Sequence, residues 1–191
     1  MVIPDGTKRI GDNWFYVSEV KSVAIPASVE EIGVNAFCAC EYLKHVGIEE
    51  NGWLRTIGDY AFCRCRNLAR VHLPKKLEKI GVGCFSYSGL EEAILPESAR
   101  EVGAEAFFKC KHLKTAQLND GLQTLGTREV VNGRECEGEV FLGSALESIR
   151  LPSTLKRIES MTFSCCENLR SIDILSGVEC IGEKCFTDSR I

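Results

Sequence analysis

The sequence predicts a β-rich solenoid of about eight stacked coils, each 22–25 residues long. Three observations predict it. An Ile-Gly pair or a close variant recurs at Ile10-Gly11, Ile32-Gly33, Ile57-Gly58, Ile80-Gly81, Val102-Gly103, Leu125-Gly126, Ile158-Glu159 and Ile181-Gly182. A Phe follows the first member by five in seven coils: Phe15, Phe37, Phe62, Phe85, Phe107, Phe163 and Phe186. In the remaining coil it is Phe141, delayed by eleven extra residues. All five prolines share a further column: Pro4, Pro26, Pro74, Pro96 and Pro152. Rare residues sorted at a fixed period mark a stacked array, because no single unit can bury its own apolar face.

One unit reads roughly L-x-x-V-x-I-P-x-x-L-x-x-I-G-x-x-A-F-x-x-C-x-x. Its first part, as in Leu43–Ile48 or Leu68–Leu73, ends with apolar residues two apart and predicts a short strand with one buried face. Pro then ends the strand, because it cannot donate a ladder hydrogen bond. A second extended piece, such as Leu77–Ile80, carries two more core residues. The Gly after it supplies either a turn needing positive φ or a close backbone approach. The A-F-x-x-C piece predicts a tight, 3₁₀-like turn whose Phe plugs the interior. Stacked coils would pair as parallel strands about 4.8 Å apart, so eight coils make a rod or arc on the order of 40 Å long. Residues 1–191 form one domain, with repeats near 3–24, 25–47, 48–72, 73–94, 95–117, 118–150 (including an insertion, 127–137), 151–173 and a shortened 174–191.

Composition narrows the function classes. A net charge of −4 gives no general attraction to nucleic acid or an anionic membrane. No run is long and apolar enough to span a membrane, and the start MVIPDGTKRIGDNWF lacks a signal core. There is no Asn-x-Ser/Thr sequon. Gly-rich phosphate loops, G-x-S-x-G and H-E-x-x-H are all missing, and the expectation is a chain without catalysis or cofactor.

The phrases IPASVEEIGVNAFCACEYLKHV, LPKKLEKIGVGCFSYSGLEEAILP and LPSTLKRIESMTFSCCENLRSI resemble the BspA-like leucine-rich repeat, also called the Treponema pallidum type. The resemblance covers nearly the whole chain. It implies a leucine-rich-repeat solenoid, arc or horseshoe in shape, acting as an adhesion and recognition scaffold on cell surfaces, with no catalytic residues to carry over. The missing signal and eleven cysteines point instead to the cell interior, so the compartment stays open.

Position decides most of the cysteines. Cys40, Cys65, Cys110 and Cys166 lie three after the column Phe, where the other coils have Ser18, Ser88, Ser144 and Ser189. With Cys, three residues lead to the next strand residue; with Ser, two do. The column therefore chooses between two turn geometries, Cys as a small hydrophobe and Ser as a bonder of turn backbone. Cys84 and Cys185 occupy the small position before Phe, Cys136 lies in the insertion, and Cys180 is expected to be the more exposed. Cys38 and Cys63 share the column just after Phe. Two sharper options remain: a four-thiolate zinc site from Cys38, Cys40, Cys63 and Cys65, or a Cys38–Cys63 disulfide. Either would make a zinc- or redox-responsive scaffold, the alternative to the interaction module.

Residues flanking the buried strand position point outward and vary between coils. The candidate partner-binding residues are Lys44, His45, Arg70, His72, Glu91, Glu92, Lys114 and Arg150. A basic patch beside Glu91 and Glu92 suits a protein surface of mixed charge. The insertion TREVVNGRECE carries a hairpin signal at Asn132-Gly133. It would set Val131 opposite Arg134, Val130 opposite Glu135 and Arg128 opposite Glu137, making Arg128, Val130, Asn132, Gly133 and Arg134 a second candidate contact element. Neither end carries a polar cap, which predicts a slice of a longer protein or end-to-end self-association.

Overall fold

Each coil contributes to two parallel ladders and to one stacked turn. The computed structural model describes residues 1–127, 129–131 and 133–191. Among them there is no helix. One ladder holds β1 (Arg9–Ile10), β3 (Glu31–Ile32), β5 (Thr56–Ile57), β6 (Lys79–Ile80), β8 (Glu101–Gly103) and β10 (Thr124–Thr127) in spatial order, with Ile opposite Ile or Val, and Val102 opposite Leu125 at its end. After the insertion it resumes as β14 (Arg157–Ile158) and β16 (Cys180–Ile181). The other ladder carries the Leu-x-x-Val-x-Ile segments. It pairs β2 (Ser22–Ile25) with β4 (His45–Ile48), and then joins β7 (Glu92–Ile94), β9 (Thr115–Gln117), β13 (Ser148–Arg150) and β15 (Ser171–Asp173). Each column Pro accepts, at its carbonyl, the N–H three residues on, as Val29 to Pro26 and Leu77 to Pro74.

The Phe column is the spine. Eight rings stack from Phe15 to Phe186, with centroids 5.0–5.7 Å apart and planes within 13° of parallel. From Phe37 to Phe163 the rings are fully buried. The interior is thus filled by side chains, as the apolar periodicity requires.

The Phe turn departs from the expected 3₁₀ form. Hydrogen bonds of 3₁₀ type are present, such as Cys38 N–H to the Asn35 carbonyl, but they alternate with bonds to the next coil. Asn35, Phe37 and Ala39 donate to Asp59, Ala61 and Cys63. This alternation puts two left-handed residues in every coil. One column is Asn13, Asn35, Tyr60, Gly83, Glu105, Glu139, Met161 and Lys184, with φ of 53–58°. The other, two after Phe, is Val17, Ala39, Arg64, Tyr87, Lys109, Gly143, Cys165 and Asp188, with φ of 52–66°. Such φ values cost non-glycine residues energy, and the inter-coil bonds offset it.

The Ile-Gly glycine is resolved by the same contacts. Gly11, Gly33, Gly58, Gly81, Gly103 and Gly182 stay out of the positive-φ region, so a positive-φ turn is not their reason; Gly126, where the insertion leaves the stack, is the exception at φ 80°. A Cβ on Gly58 would stand 2.8 Å from the Gly33 carbonyl carbon, and one on Gly81 2.6 Å from that of Gly58. The column is Gly because neighbouring coils meet there backbone to backbone.

The insertion leaves the stack at Gly126 and returns at Gly138, whose N–H donates to the Gly126 carbonyl at 2.6 Å. It forms an antiparallel hairpin of β11 (Glu129–Val131) and β12 (Arg134–Cys136). Val131 pairs with Arg134 and Val130 with Glu135, as the turn signal predicts. Arg128 and Asn132, and with them the expected Arg128–Glu137 pairing, lie outside the described residues.

Candidate protein-interaction face

The strand ladder sets alternate side chains outward on a parallel frame. Along β4, His45 is exposed and Val46 buried; along β9, Thr115 and Gln117 are exposed and Ala116 buried. Lys44, His45, Arg70, His72, Glu91, Lys114 and Arg150 are exposed, and Glu92 is half-buried. All eight lie on this ladder or directly beside it.

The ladder is not continuous. Between β4 and β7, coil three contributes only a single bridge, Val46 to Val71. A hollow of about 380 Å³ opens at this break, lined by Glu50, Val71, His72, Leu73, Glu92 and Ile94. Ile94 is 50% exposed within it. Arg70 reaches Glu91 and Glu92, each at 3.6 Å, so the basic and acidic halves of the patch are joined through one guanidinium. These are exposed, long ion pairs that contribute little to stability. Arg150 stands 4.0 Å from Asp120. Sequence reasoning found His72 and Glu92 of the hollow but not Glu50 or Leu73, because nothing in the spacing reports a broken ladder.

The hairpin leans on the stack. Cys136 is 1% exposed and packs with Val82 and Ala104, against Tyr60 and Val131. Arg134 reaches over to Glu105, Nη2 to Oε1 at 2.8 Å, and Glu105 is nearly buried. Burial and the Cys136 thiol push the Tyr60 phenol well up. Val130 is 67% exposed and Gly133 is exposed, so the hairpin's outer side faces solvent.

The cysteines separate as their columns predict. Cys40, Cys65, Cys110 and Cys166 are fully buried, and each thiol donates to the Phe carbonyl one coil back: Phe15, Phe37, Phe85 and Phe141, at 2.9–3.2 Å. The Cys column is therefore a hydrogen-bonding ladder as well as a packing one. Where Ser precedes Cys in the stack, the hydroxyl lies 3.4–3.5 Å from the thiol, as at Ser18–Cys40, Ser88–Cys110 and Ser144–Cys166. Cys38, Cys165 and Cys180 are partly exposed.

Because Cys40 and Cys65 turn inward to carbonyls, they do not converge with Cys38 and Cys63 on a metal position. Among the described residues no group of three or more His, Cys, Asp or Glu is placed to hold a metal ion. Cys38 and Cys63 are free thiols on adjacent coils. Cys63 donates toward Cys38 and eases its ionisation, with Arg64 adding to the effect. The same bond, and then burial, pushes Cys63 the other way.

Comparison with known proteins agrees with this architecture. The model of the BspA type leucine rich repeat region matches six copies over residues 8–132 and 134–191. A leucine-rich repeat protein from Bacteroides ovatus is similar over 100% of this chain and 49% of its own, at 27% identity and a TM-score of 0.81. A leucine rich cell surface protein from Faecalibacterium prausnitzii is similar over 90% of this chain and 46% of its own, at 30% identity and a TM-score of 0.77. The T. pallidum leucine rich repeat protein is similar over 95% and 72%, at 27% identity and a TM-score of 0.65. The chain spans about half the length of the first two of these relatives. No curated protein matches it significantly. With the repeat pattern, the two ladders and the Phe stack in agreement, the chain belongs to the BspA-type leucine-rich repeat family.

Proposed function

We propose that the solenoid is a non-catalytic protein-interaction or adhesion scaffold that binds a protein partner through its strand face. The observation that carries this reading is the hollow at the ladder break. It offers an exposed apolar residue, Ile94, inside a rim of Glu50, His72 and Glu92, with Arg70 beside it. An apolar centre within a polar rim is the anatomy of a protein interface. Lys44 and His45 extend the rim on one side, and Lys114 and Arg150 on the other. The loose pairs of Arg70 leave it able to exchange Glu91 and Glu92 for a partner's carboxylate. Two facts favour a scaffold over an enzyme. The Phe stack fills the interior, and the relatives are repeat proteins.

The test is affinity capture with mass spectrometry, comparing the native chain with Arg70→Glu/His72→Glu. Both residues are exposed, so the variant retains the fold. A protein held by the native chain and lost from the variant supports the reading. Identical captured sets overturn it.

A further inference from the structure

We propose that the turn edge of coils three to five, away from the strand face, binds an acidic sugar unit carrying sulfate or carboxylate groups. The site follows from turn length. Ser88 is two residues before Leu90, whereas Cys65 and Cys110 are three before Leu68 and Leu113. The short turn of coil four is drawn onto coil three. Gly89 N–H donates to the Cys65 carbonyl at 3.1 Å, and a Cβ on Gly89 would stand 2.2 Å from the Arg66 carbonyl oxygen. The longer turns on either side stand proud of it. A notch of about 220 Å³ opens between them, with Tyr87 and Gly89 at its base and Arg66, Lys109, Lys111 and His112 around it. The second short turn, at Ser144, opens a notch of about 280 Å³ beyond the same two lysines.

The walls of the first notch are cationic. Arg66 lines it from coil three, with Arg64 beside it near the Tyr87 ring, and Lys109, Lys111 and His112 line it from coil five. Arg64 and Lys109 are each 5.8 Å from the Tyr87 ring, which Phe108 braces edge-on at 5.4 Å. Elsewhere on the chain Arg55, Arg70, Arg134 and Arg157 all have carboxylate partners. Among the described residues, no ion pair involves any of these five side chains. Glu139 on the next coil feels Lys109 without pairing to it. Four unspent cationic side chains at or beside one notch, two of them near a tyrosine ring and joined by the exposed His112, call for a ligand of dense negative charge.

The geometry selects a sugar over longer or flexible polyanions. The walls are two coil spacings apart, on the order of 10 Å. Equivalent turn positions revert to acid at Glu41 in coil two and Glu167 in coil seven, which repels an extended polyanion. A nucleic acid strand also needs free aromatic platforms, and the Tyr87 ring already carries cations. A peptide would need backbone partners, but the N–H groups of Tyr87, Ser88, Gly89, Lys109 and Cys110 are all spent on carbonyls. A short anionic sugar unit needs only the side-chain cations.

The experiment is surface plasmon resonance on immobilised heparin-type oligosaccharide and on oligouronate, at low and physiological salt. The proposal expects binding to at least one of them, weakened by salt. Arg66→Glu/Lys111→Glu should bind about tenfold to a hundredfold less tightly, the scale for losing charge-assisted hydrogen bonds. Arg70→Glu/His72→Glu, on the strand face, should bind as the native chain does, so this result stands or falls apart from the protein-partner reading. Thermal midpoints of both variants confirm that they are folded. No binding to either sugar overturns the proposal, as does equal binding by Arg66→Glu/Lys111→Glu. So does binding of a single-stranded oligonucleotide or an acidic peptide as tight as that of the sugar.

Discussion

Replacing Phe85 with Ala tests whether the Phe spine holds the coils together. Phe85 is 1% exposed, with ring centroids 5.5 Å from Phe62 and 5.7 Å from Phe107. A buried Phe→Ala change costs about 3–5 kcal/mol from lost transfer energy and the cavity left behind. Here two stacked contacts disappear at once, each worth about 0.5–1.5 kcal/mol beyond area, which places the cost near the upper end. Phe186 is half-buried and, among the described residues, stacks on one ring, Phe163 at 5.7 Å. Phe186→Ala should therefore cost about 1–3 kcal/mol, roughly half of a full side-chain burial and one stack. Phe85→Leu keeps much of the volume but loses both ring stacks, so it should cost about 1–3 kcal/mol, less than Phe85→Ala. The assay is urea unfolding followed by circular dichroism, with fluorescence of Trp14 and Trp53 as a second probe. Equal losses for Phe85→Ala and Phe186→Ala, or a loss at Phe85 below about 1 kcal/mol, would refute the claim that the stack couples the coils.

Three further outcomes follow from the same contacts. Native alkylation should label Cys38, Cys165 and Cys180 first and leave Cys40, Cys65, Cys84, Cys110 and Cys166 unlabelled until denaturant is added; early labelling of the buried set contradicts the thiol ladder. Burial pushes the Cys110 thiol up to about 11, so between pH 9 and 11 the unfolded chain loses a proton that the native chain keeps. Stability should then fall as pH rises through this window, by about 1.4 kcal/mol per pH unit from this group, and Cys110→Ala should show a correspondingly shallower fall in urea midpoints. Arg134→Ala removes the partner of the nearly buried Glu105 carboxylate and loosens the hairpin, so Cys136 should become reactive in the native state; an unreactive Cys136 means that packing on Val82 and Ala104 holds the hairpin alone.

The core of this fold was legible because it repeats. Ile, Phe, Pro and Cys fall into columns, and a column in a stacked array is a contact between coils. The Cys/Ser choice could be tied to turn length from spacing alone. That each thiol donates to the Phe carbonyl one coil back could not, because spacing carries no direction. The left-handed columns were hidden for a different reason. Asn35, Tyr60, Glu105 and Met161 share φ but no side-chain chemistry, since the inter-coil hydrogen bonds, rather than the residue, set the conformation there. The Gly column left two roles open, and only the approach of backbone to backbone decides between them. On the surface, the strand-face residues were legible as outward positions. The hollow at Val71 and the notch at Ser88 were not, because both arise where one coil differs from its neighbours rather than from a pattern.

The three histidines provide the most direct test of where a partner binds. His45 and His72 are exposed on the strand face, and His112 is exposed at the turn edge. Histidine modification with diethyl pyrocarbonate, read by mass spectrometry with and without a captured protein partner, reports on both surfaces at once. The strand-face account predicts that His72 and His45 are protected while His112 reacts at its free rate. Protection of His112 with His45 and His72 unchanged would contradict it.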